Sequence, residues 1–256
     1  MFQSKDQSNI YSDTPPFQDY HTMSNIALAP LVHQTETFVS RGDLPVLNMD
    51  ILLCVMKDAD ERVDMWRVMR TCRTLYCHGI PILLRKQVVI THPGQLRSLW
   101  QFLSSDSQKT DRFQYLRSLS LRNLGLRDDT EIVSILVKIL QSATHLEHLQ
   151  LLESEVLSSS TEAIQAVANL GRLRSVLLAL YPEDKPEAMR WLQSTNSPIS
   201  EMIINDWTEE AFILSKLGNL AAYLTTLRLV ADTITAADAH FPHLRRLVLR
   251  LAAQHI

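Results

Sequence analysis

Residues 116–121 read LRSLSL and residues 146–151 read LEHLQL, so both match the pattern LxxLxL. The pattern returns twice near the end of the chain, and two conservative versions lie in between. The six copies begin at residues 116, 146, 173, 199, 224 and 244. Alternating apolar residues over so short a stretch predict a half-buried β-strand. Their recurrence at intervals of roughly 20 to 30 residues predicts a stacked array of similar units.

This spacing is typical of irregular leucine-rich repeats, in which each strand alternates with a helix or a looser crossing. Val88 and Ile90 precede Leu119 and Leu121 by a similar interval and fit as an earlier, partial copy. Strands joined by such crossings run parallel. The sequence therefore predicts an α+β or α/β solenoid with parallel strands over residues 87–256.

The segments between the strands carry helix-start signals. Asp128 and Asp129 can cap a helix that contains Ile132, and Ser159 and Glu162 have the spacing of a capping box. Both starts precede apolar residues at intervals of three and four, which predicts one buried face for each helix.

Two glycines are predicted to stop such helices. Gly171 follows the second of these helices, and Gly218 lies near the end of a further helix that we expect to begin at Thr208. Residues 187–193 predict a shorter helical turn. The last crossing, residues 231–243, is too short and too limited by proline for a full helix.

Composition excludes several classes of enzyme. Leucine is abundant, whereas glycine occurs only 6 times, and each glycine stands alone. Phosphate-binding loops of the GxGxxG and GxxxxGK[ST] types and the GxSxG nucleophile elbow therefore cannot be spelled in this chain. No other catalytic motif is present, and we predict a protein that is not an enzyme and needs no cofactor.

Charge, cysteine content and hydropathy limit the expected partners and the expected cellular compartment. The net charge is −3 and no dense basic face is apparent, so nucleic acid is not an expected partner. The 3 cysteines lack CxxC spacing, which favours a reducing compartment over a disulfide scaffold or a zinc site. There is no signal peptide and no apolar run of about 20 residues. We expect a soluble protein of the cytoplasm or nucleus that does not associate with membranes.

Residues 1–40 and 41–86 differ from the repeat segment. The first stretch is polar and interrupted by prolines, and it predicts a disordered tail. The second has apolar residues at helical spacing and predicts three short helices, with a bend or restart at Pro81. Cys72 falls in an apolar stripe of this region, so we expect it to be buried.

Residues 44–84 resemble an F-box. The resemblance rests on Leu44-Pro45, on Ile51-Leu52 with Val55-Met56, on the string MRTCRTLY at residues 69–76 and on GIPILLR at residues 79–85. It is similar to F-box-like proteins of mushroom-forming, basidiomycete-type fungi, which continue into irregular leucine-rich repeats. The F-box and the repeats together span about five-sixths of the chain.

The resemblance implies an adaptor with two ends. F-boxes dock on a Skp-family adaptor of cullin–RING ubiquitin ligases of the SCF type, and the repeats recruit a substrate protein. A helical unit of about 40 residues buries its apolar surface poorly on its own, so part of that surface is free to enter a partner's groove. The predicted adaptor-binding residues are Leu44, Pro45, Ile51, Leu52, Val55 and Met69. The alternative is that several of them pack inward.

On each LxxLxL strand the leucines point inward, and the alternate residues face the concave side. Leu177, Ile203 and Arg228 occupy the same position on successive strands, and Arg246 lies two residues before Val248, which holds the matching position in the last motif. Exposed apolar residues beside arginines are recognition anchors. We predict that Leu177, Ile203, Arg228 and Arg246 bind the partner protein, unless a loop or a chain terminus covers them.

Two HxxH pairs, His145 with His148 and His240 with His243, do not predict a metal site, because that spacing places the side chains on opposite faces of a strand. The sequence therefore favours a non-catalytic substrate receptor of an SCF-type ligase. The alternative is a leucine-rich-repeat interaction scaffold whose F-box is degenerate and has no link to a ligase.

Overall fold

The computed structural model describes residues 48–58, 62–105, 111–122, 124, 129–152, 157, 160–208, 210–235 and 240–251. All of them belong to one compact unit that spans residues 47–256. The predicted tail, Leu44 and Pro45 lie outside the described residues. The fold is α/β, with a parallel sheet and helices between successive strands.

The main sheet holds seven strands within the described part of the chain, and all neighbours are parallel. Strand order equals chain order. The strands are β1 (Val88–Ile90), β2 (Ser118–Leu121), β3 (His148–Leu151), β4 (Ser175–Leu180), β5 (Glu201–Asp206), β7 (Thr226–Ala231) and β9 (Arg246–Leu251). Two short strands, β6 (Phe212–Ile213) and β8 (Ile234–Thr235), pair with each other apart from this sheet.

The six predicted strand motifs lie in register. Their middle apolar residues align in one row across the sheet, from β2 to β9: Leu119, Leu149, Val176, Met202, Leu227 and Leu247. Val88 aligns with Leu119, so the earlier partial copy is also a strand of the sheet. The face that carries this row, the helix face, is buried from β1 to β7.

The helices are α1 (Met49–Asp58), α2 (Arg62–Met69), α3 (Arg73–Arg85), α4 (Pro93–Ser104), α5 (Thr130–Ser142), α6 (Thr161–Ala168) and α7 (Lys185–Ser194). Short 3₁₀ helices span Arg112–Tyr115 and Leu214–Leu220. From α4 to α7 each helix packs beside the next, so the crossings form a second layer against the helix face. One continuous hydrophobic core joins this layer, the sheet and α1–α3.

Helices α1, α2 and α3 confirm the three helices predicted ahead of the first strand. Gly79 of α3 lets the three approach closely, because a Cβ there would lie 2.5 Å from Met56 Cε and 2.5 Å from Met69 Cγ. A local side-chain cap sets the start of α5. Asp129 caps α5 as predicted, since its Oδ1 accepts the Ile132 N–H at 3.1 Å.

The restart expected as one possibility at Pro81 is wrong, because α3 continues through it to Arg85. A proline inside a helix costs about 3 kcal/mol. Burial of Leu75, Ile80 and Leu84 on the same helix offsets this cost, since each fully buried side chain contributes about 1.5–3 kcal/mol.

Cys72 was expected to be buried, and this is also wrong. It is exposed and serves as the N-cap of α3, where its Sγ accepts the Leu75 N–H at 3.5 Å. The apolar stripe ends one turn earlier, at the buried Met69, because the chain changes direction between α2 and α3.

Two further boundaries differ from prediction. The cap of α6 is Ser160, whose Oγ accepts the Ala163 N–H at 3.0 Å, one residue after the predicted Ser159, which lies outside the described residues. No helix begins at Thr208; the described chain there forms β6 and then a 3₁₀ helix that contains Gly218. The buried residues of that segment, Leu214, Leu217 and Leu220, recur every three residues, which is the period of a 3₁₀ helix.

Candidate functional site

The face of the sheet opposite the helices, the open face, carries the predicted partner-binding residues. Leu177 is paired in register with Ile203, and Ile203 with Arg228, so the three lie side by side on β4, β5 and β7. Neighbouring strands are about 5 Å apart. Leu177 and Ile203 are half-buried and Arg228 is exposed. The predicted adjacency of these three side chains is confirmed.

In the row of the open face that contains Leu177, accessibility rises from β2 to β7. Ser120 on β2 is fully buried, Gln150 and Leu177 are half-buried, and Arg228 on β7 is exposed. Ala179 on β4 is also buried. Within this row from β2 to β7, Arg228 is therefore the most accessible residue.

Arg246 lies at the start of β9 and pairs in register with Thr226, while Val248 pairs with Arg228. The sequence placed Arg246 in the row of Glu201 and Thr226, next to the row of Arg228, and the register agrees. Arg250, two residues beyond Val248, was not predicted, although the alternation along a strand places it on the same face. It is exposed, as is Arg246. The open face therefore ends in three arginines: Arg228, Arg246 and Arg250.

A second polar cluster lies at the start of β2 and β3. Arg117 Nη1 is 3.2 Å from Glu147 Oε1 and 3.2 Å from His145 Nδ1, and Arg172 Nη1 is 2.8 Å from the same Nδ1. Guanidinium groups only donate hydrogen bonds, so His145 Nδ1 is the acceptor in both contacts. The histidine is thus held by arginines. Among the described residues no cluster of three His, Cys, Asp or Glu side chains could hold a metal ion.

The predicted adaptor-binding residues divide into two groups. Ile51 and Val55 lie one turn apart on α1 and are 55% and 51% exposed, and Leu52 beside them is half-buried. Met69 is fully buried, because it fills the space left by the missing side chain of Gly79. Its inclusion in a docking surface is therefore incorrect. Leu44 and Pro45 remain predictions outside the described residues.

Lys185, at the first turn of α7, forms a buried ionic cluster that sequence reasoning missed. Its side chain is 9% exposed, and its Nζ lies 3.0 Å from Oδ2 of the fully buried Asp206. Nζ also donates to Thr208 Oγ1 at 2.5 Å and to the Glu210 carbonyl at 3.0 Å. Asp206 Oδ1 accepts the Thr208 N–H at 3.1 Å. No local sequence pattern pairs residues this far apart, so nothing in the sequence signalled the contact.

The geometry around Asp206 Oδ2 is that of an ion pair and not of an aligned hydrogen bond. This oxygen has no hydrogen-bond partner, although Lys185 Nζ is within contact distance. Opposite charges attract at any angle, so the short distance alone makes this contact favourable. A cleft of about 310 Å³ opens beside the cluster and is lined by Lys185, Glu210 and Lys216 among others. The lysine charge is already balanced by Asp206, so the cluster joins α7 to the end of β5.

No known family model matches the chain, and none of the curated proteins is significantly similar to it. Within the described residues, every helix is too short or too polar to cross a lipid bilayer.

Proposed function

We propose that this chain is a non-catalytic substrate-recognition subunit of an SCF-type cullin–RING ubiquitin ligase. In this proposal the helices α1–α3 form an F-box that docks a Skp-family adaptor, and the repeats bind a target protein through the open face. The carrying observation is that one compact body presents two separate apolar surfaces to solvent: Ile51 with Val55 on α1, and Leu177 with Ile203 on the sheet.

The α1 surface supports docking on physical grounds. Two exposed branched side chains one turn apart form a stripe on one side of a helix, which is the form of an anchor for a hydrophobic groove. Burial of each such side chain contributes about 1.5–3 kcal/mol. Isolated exposed apolar residues are common, but here the half-buried Leu52 widens the stripe.

The repeat surface supports recognition of a protein. Its strands follow the chain in register, so side chains far apart in sequence form continuous rows. Solenoids of this kind use such extended surfaces for binding. Half-buried apolar side chains flanked by exposed arginines have the composition of interface centres.

One observation favours the second candidate, a repeat scaffold whose F-box is degenerate and recruits no ligase. Burial of Met69 removes one of the six predicted adaptor contacts. In that case the α1 stripe serves another purpose and only the open face binds a partner.

Copurification with a Skp-family adaptor separates the two candidates. Ile51→Asp with Val55→Asp should abolish recovery of the adaptor, because two charges would enter an apolar groove; the triple change Leu44→Asp, Pro45→Ala and Ile51→Asp should do the same. Tyr223→Asp is the matched control, because Tyr223 is similarly exposed but lies in the turn before β7. If the unaltered chain recovers no adaptor, the ligase assignment is wrong and the scaffold stands.

A second pair of substitutions tests the other end. Leu177→Asp with Ile203→Asp should abolish capture of the target while adaptor recovery stays unchanged. Loss of both activities would indicate misfolding, which circular dichroism and thermal unfolding of each variant would detect. Unchanged target capture would remove the open face from the assignment.

A further inference from the structure

Among the described residues β9 is the last strand of the sheet, with an exposed apolar face on one side and a basic face on the other. On the helix face, Leu247, Leu249 and Leu251 are 48%, 45% and 70% exposed, whereas Leu227 and Leu229 of the neighbouring strand are fully buried. Position in the pleat does not explain this difference, because Leu247 and Leu249 are paired in register with Leu227 and Leu229. Nothing in the described part of the chain packs over β9 as the helices pack over the earlier strands.

The outer edge of β9 offers backbone hydrogen bonds. Arg246 N–H donates to the Thr225 carbonyl, on the side of β7. Because hydrogen-bonding groups alternate sides along a strand, the N–H and C=O groups of Leu247 and Leu249 point away from β7. Within the described residues β9 ends the sheet, so these groups form an open edge.

The other face of β9 is basic. Arg246 and Arg250 flank Val248, and Val248 is paired in register with Arg228 on β7. Among the described residues no carboxylate forms an ion pair with any of these three arginines, whereas Arg97 and Arg117 are paired with Glu131 and Glu147. Like charges so close together repel one another, and an anionic partner would relieve that repulsion.

We propose that β9 binds an extended acidic peptide segment as an added strand, in which apolar and acidic residues alternate. The backbone of this segment pairs with the open edge, as in other cases of strand addition. Its apolar side chains cover Leu247, Leu249 and Leu251, and the acidic side chains between them face Arg246, Arg250 and Arg228. A period of two is the only one that serves both faces, because side chains alternate along a strand.

A second copy of this chain fits the edge less well. Its β9 would add leucines to the helix face, but it would also add Arg246 and Arg250 to a row that is already basic. Like charges on adjacent strands destabilise pairing. Charge complementarity therefore favours a different, acidic partner.

This inference deepens the proposed function, and it rests on it only in naming the bound segment as part of the target protein. Peptide binding by β9 requires no adaptor and is measured on the full chain alone. Loss of adaptor binding would thus leave it intact, and loss of peptide binding would leave the adaptor assignment intact.

The test uses a fluorescein-labelled peptide of about ten residues in which glutamate and valine alternate, with fluorescence anisotropy as the readout. A lysine–valine peptide and a peptide with all glutamates before all valines are the comparison probes. We expect the alternating acidic peptide to bind at least about tenfold more tightly than either. Binding should weaken as salt rises from about 0.1 to about 1 M, because the screening length falls from about 10 to about 3 Å.

Two variants separate the two faces. Arg246→Glu with Arg250→Glu should weaken binding of the acidic peptide by about tenfold or more and should strengthen binding of the lysine–valine peptide. Arg174→Glu with Arg190→Glu is the control, since it changes net charge equally at exposed positions away from β9. Leu249→Asp should weaken binding of both the acidic and the lysine–valine peptide, because it places a charge beneath the apolar side chains of the added strand.

If the charge-reversal variant binds the lysine–valine peptide more tightly than the unaltered chain does, the variant is folded. Equal binding of all three peptides, or acidic binding that survives the charge reversal, would overturn the proposal. A chain that fails to bind peptide and sediments as a dimer disrupted by Leu249→Asp would overturn it in favour of a second copy.

Discussion

The buried pair Lys185–Asp206 gives the sharpest test of how this fold is held together. Lys185→Met removes the ammonium but keeps most of the aliphatic stem. Asp206 is fully buried, and its Oδ2 then loses the ammonium group that lies 3.0 Å from it. Removing one partner of a buried ion pair costs about 3–5 kcal/mol. We expect Lys185→Met to lower the free energy of unfolding by that amount.

Asp206→Asn should cost less. The amide oxygen still accepts the Thr208 N–H, and Lys185 keeps its contacts with Thr208 Oγ1 and the Glu210 carbonyl. Lys185 is also slightly exposed, so its charge is not isolated. The remaining penalty is a buried amide N–H₂ that faces another donor, about 1–3 kcal/mol.

The double variant, Lys185→Met with Asp206→Asn, tests whether the two losses of stability share one cause. With both charges absent, no buried carboxylate stands alone, so the total should stay close to the cost of Asp206→Asn. Independent effects would sum to about 4–8 kcal/mol, so we expect a coupling energy of about 3–5 kcal/mol, equal to the cost of Lys185→Met. Urea unfolding followed by circular dichroism gives each free energy. The reasoning fails if the effects add within about 0.5 kcal/mol, or if Lys185→Met costs under about 1 kcal/mol.

Three other substitutions test local features, each by thermal or urea unfolding of the whole chain. Gly79→Ala should destabilise by about 1–3 kcal/mol through overpacking, whereas Gly218→Ala, which has nothing within 4 Å of the new Cβ, should be neutral; equal effects would contradict the close approach of α3. Asp129→Ala should cost about 1 kcal/mol and Asp129→Asn much less, because both Asp and Asn cap a helix. Cys72→Ser should be neutral or stabilising, since serine is a preferred cap; a loss above about 1 kcal/mol would indicate that Cys72 is buried after all.

The strands were predictable because their signal is local. LxxLxL places apolar residues at alternate positions, and a period of two identifies both the strand and its buried face. The spacing between copies also predicted which residues would be neighbours, such as Ile203 beside Arg228. Because the motif recurs, the sequence predicts contacts between distant strands, which one copy of the motif alone does not predict.

Errors arose where tertiary packing outweighed a local preference. Pro81 favours a helix end, but the buried side chains around it keep α3 continuous. Leu214 and Leu217 suit either an α-helix or a 3₁₀ helix, and only the fit beneath the sheet decides between them. Met69 and Val55 read alike as apolar helical residues, yet Gly79 of the neighbouring helix leaves room for Met69, as it does for Met56. Burial depends on a partner that sequence periodicity does not name.

The candidate site was predicted only in part for a related reason. Leu177, Ile203, Arg228 and Arg246 followed from their position in the motif. The motif by itself does not predict the exposure of Leu247 and Leu249, because the same motif gives buried apolar residues at the matching positions of every earlier strand. The difference lies in what covers the strand, which is a property of the neighbouring layer.

The agreement between strand order and chain order has a consequence for biosynthesis. Each strand pairs with one already made, so the sheet can grow from its first strand while the ribosome is still translating the rest. Contacts then form between segments roughly 20 to 30 residues apart, and short separations favour fast folding. Every intermediate of such growth exposes a strand edge and a row of leucines, so a pause in translation would leave a nascent chain open to aggregation at whichever strand came last.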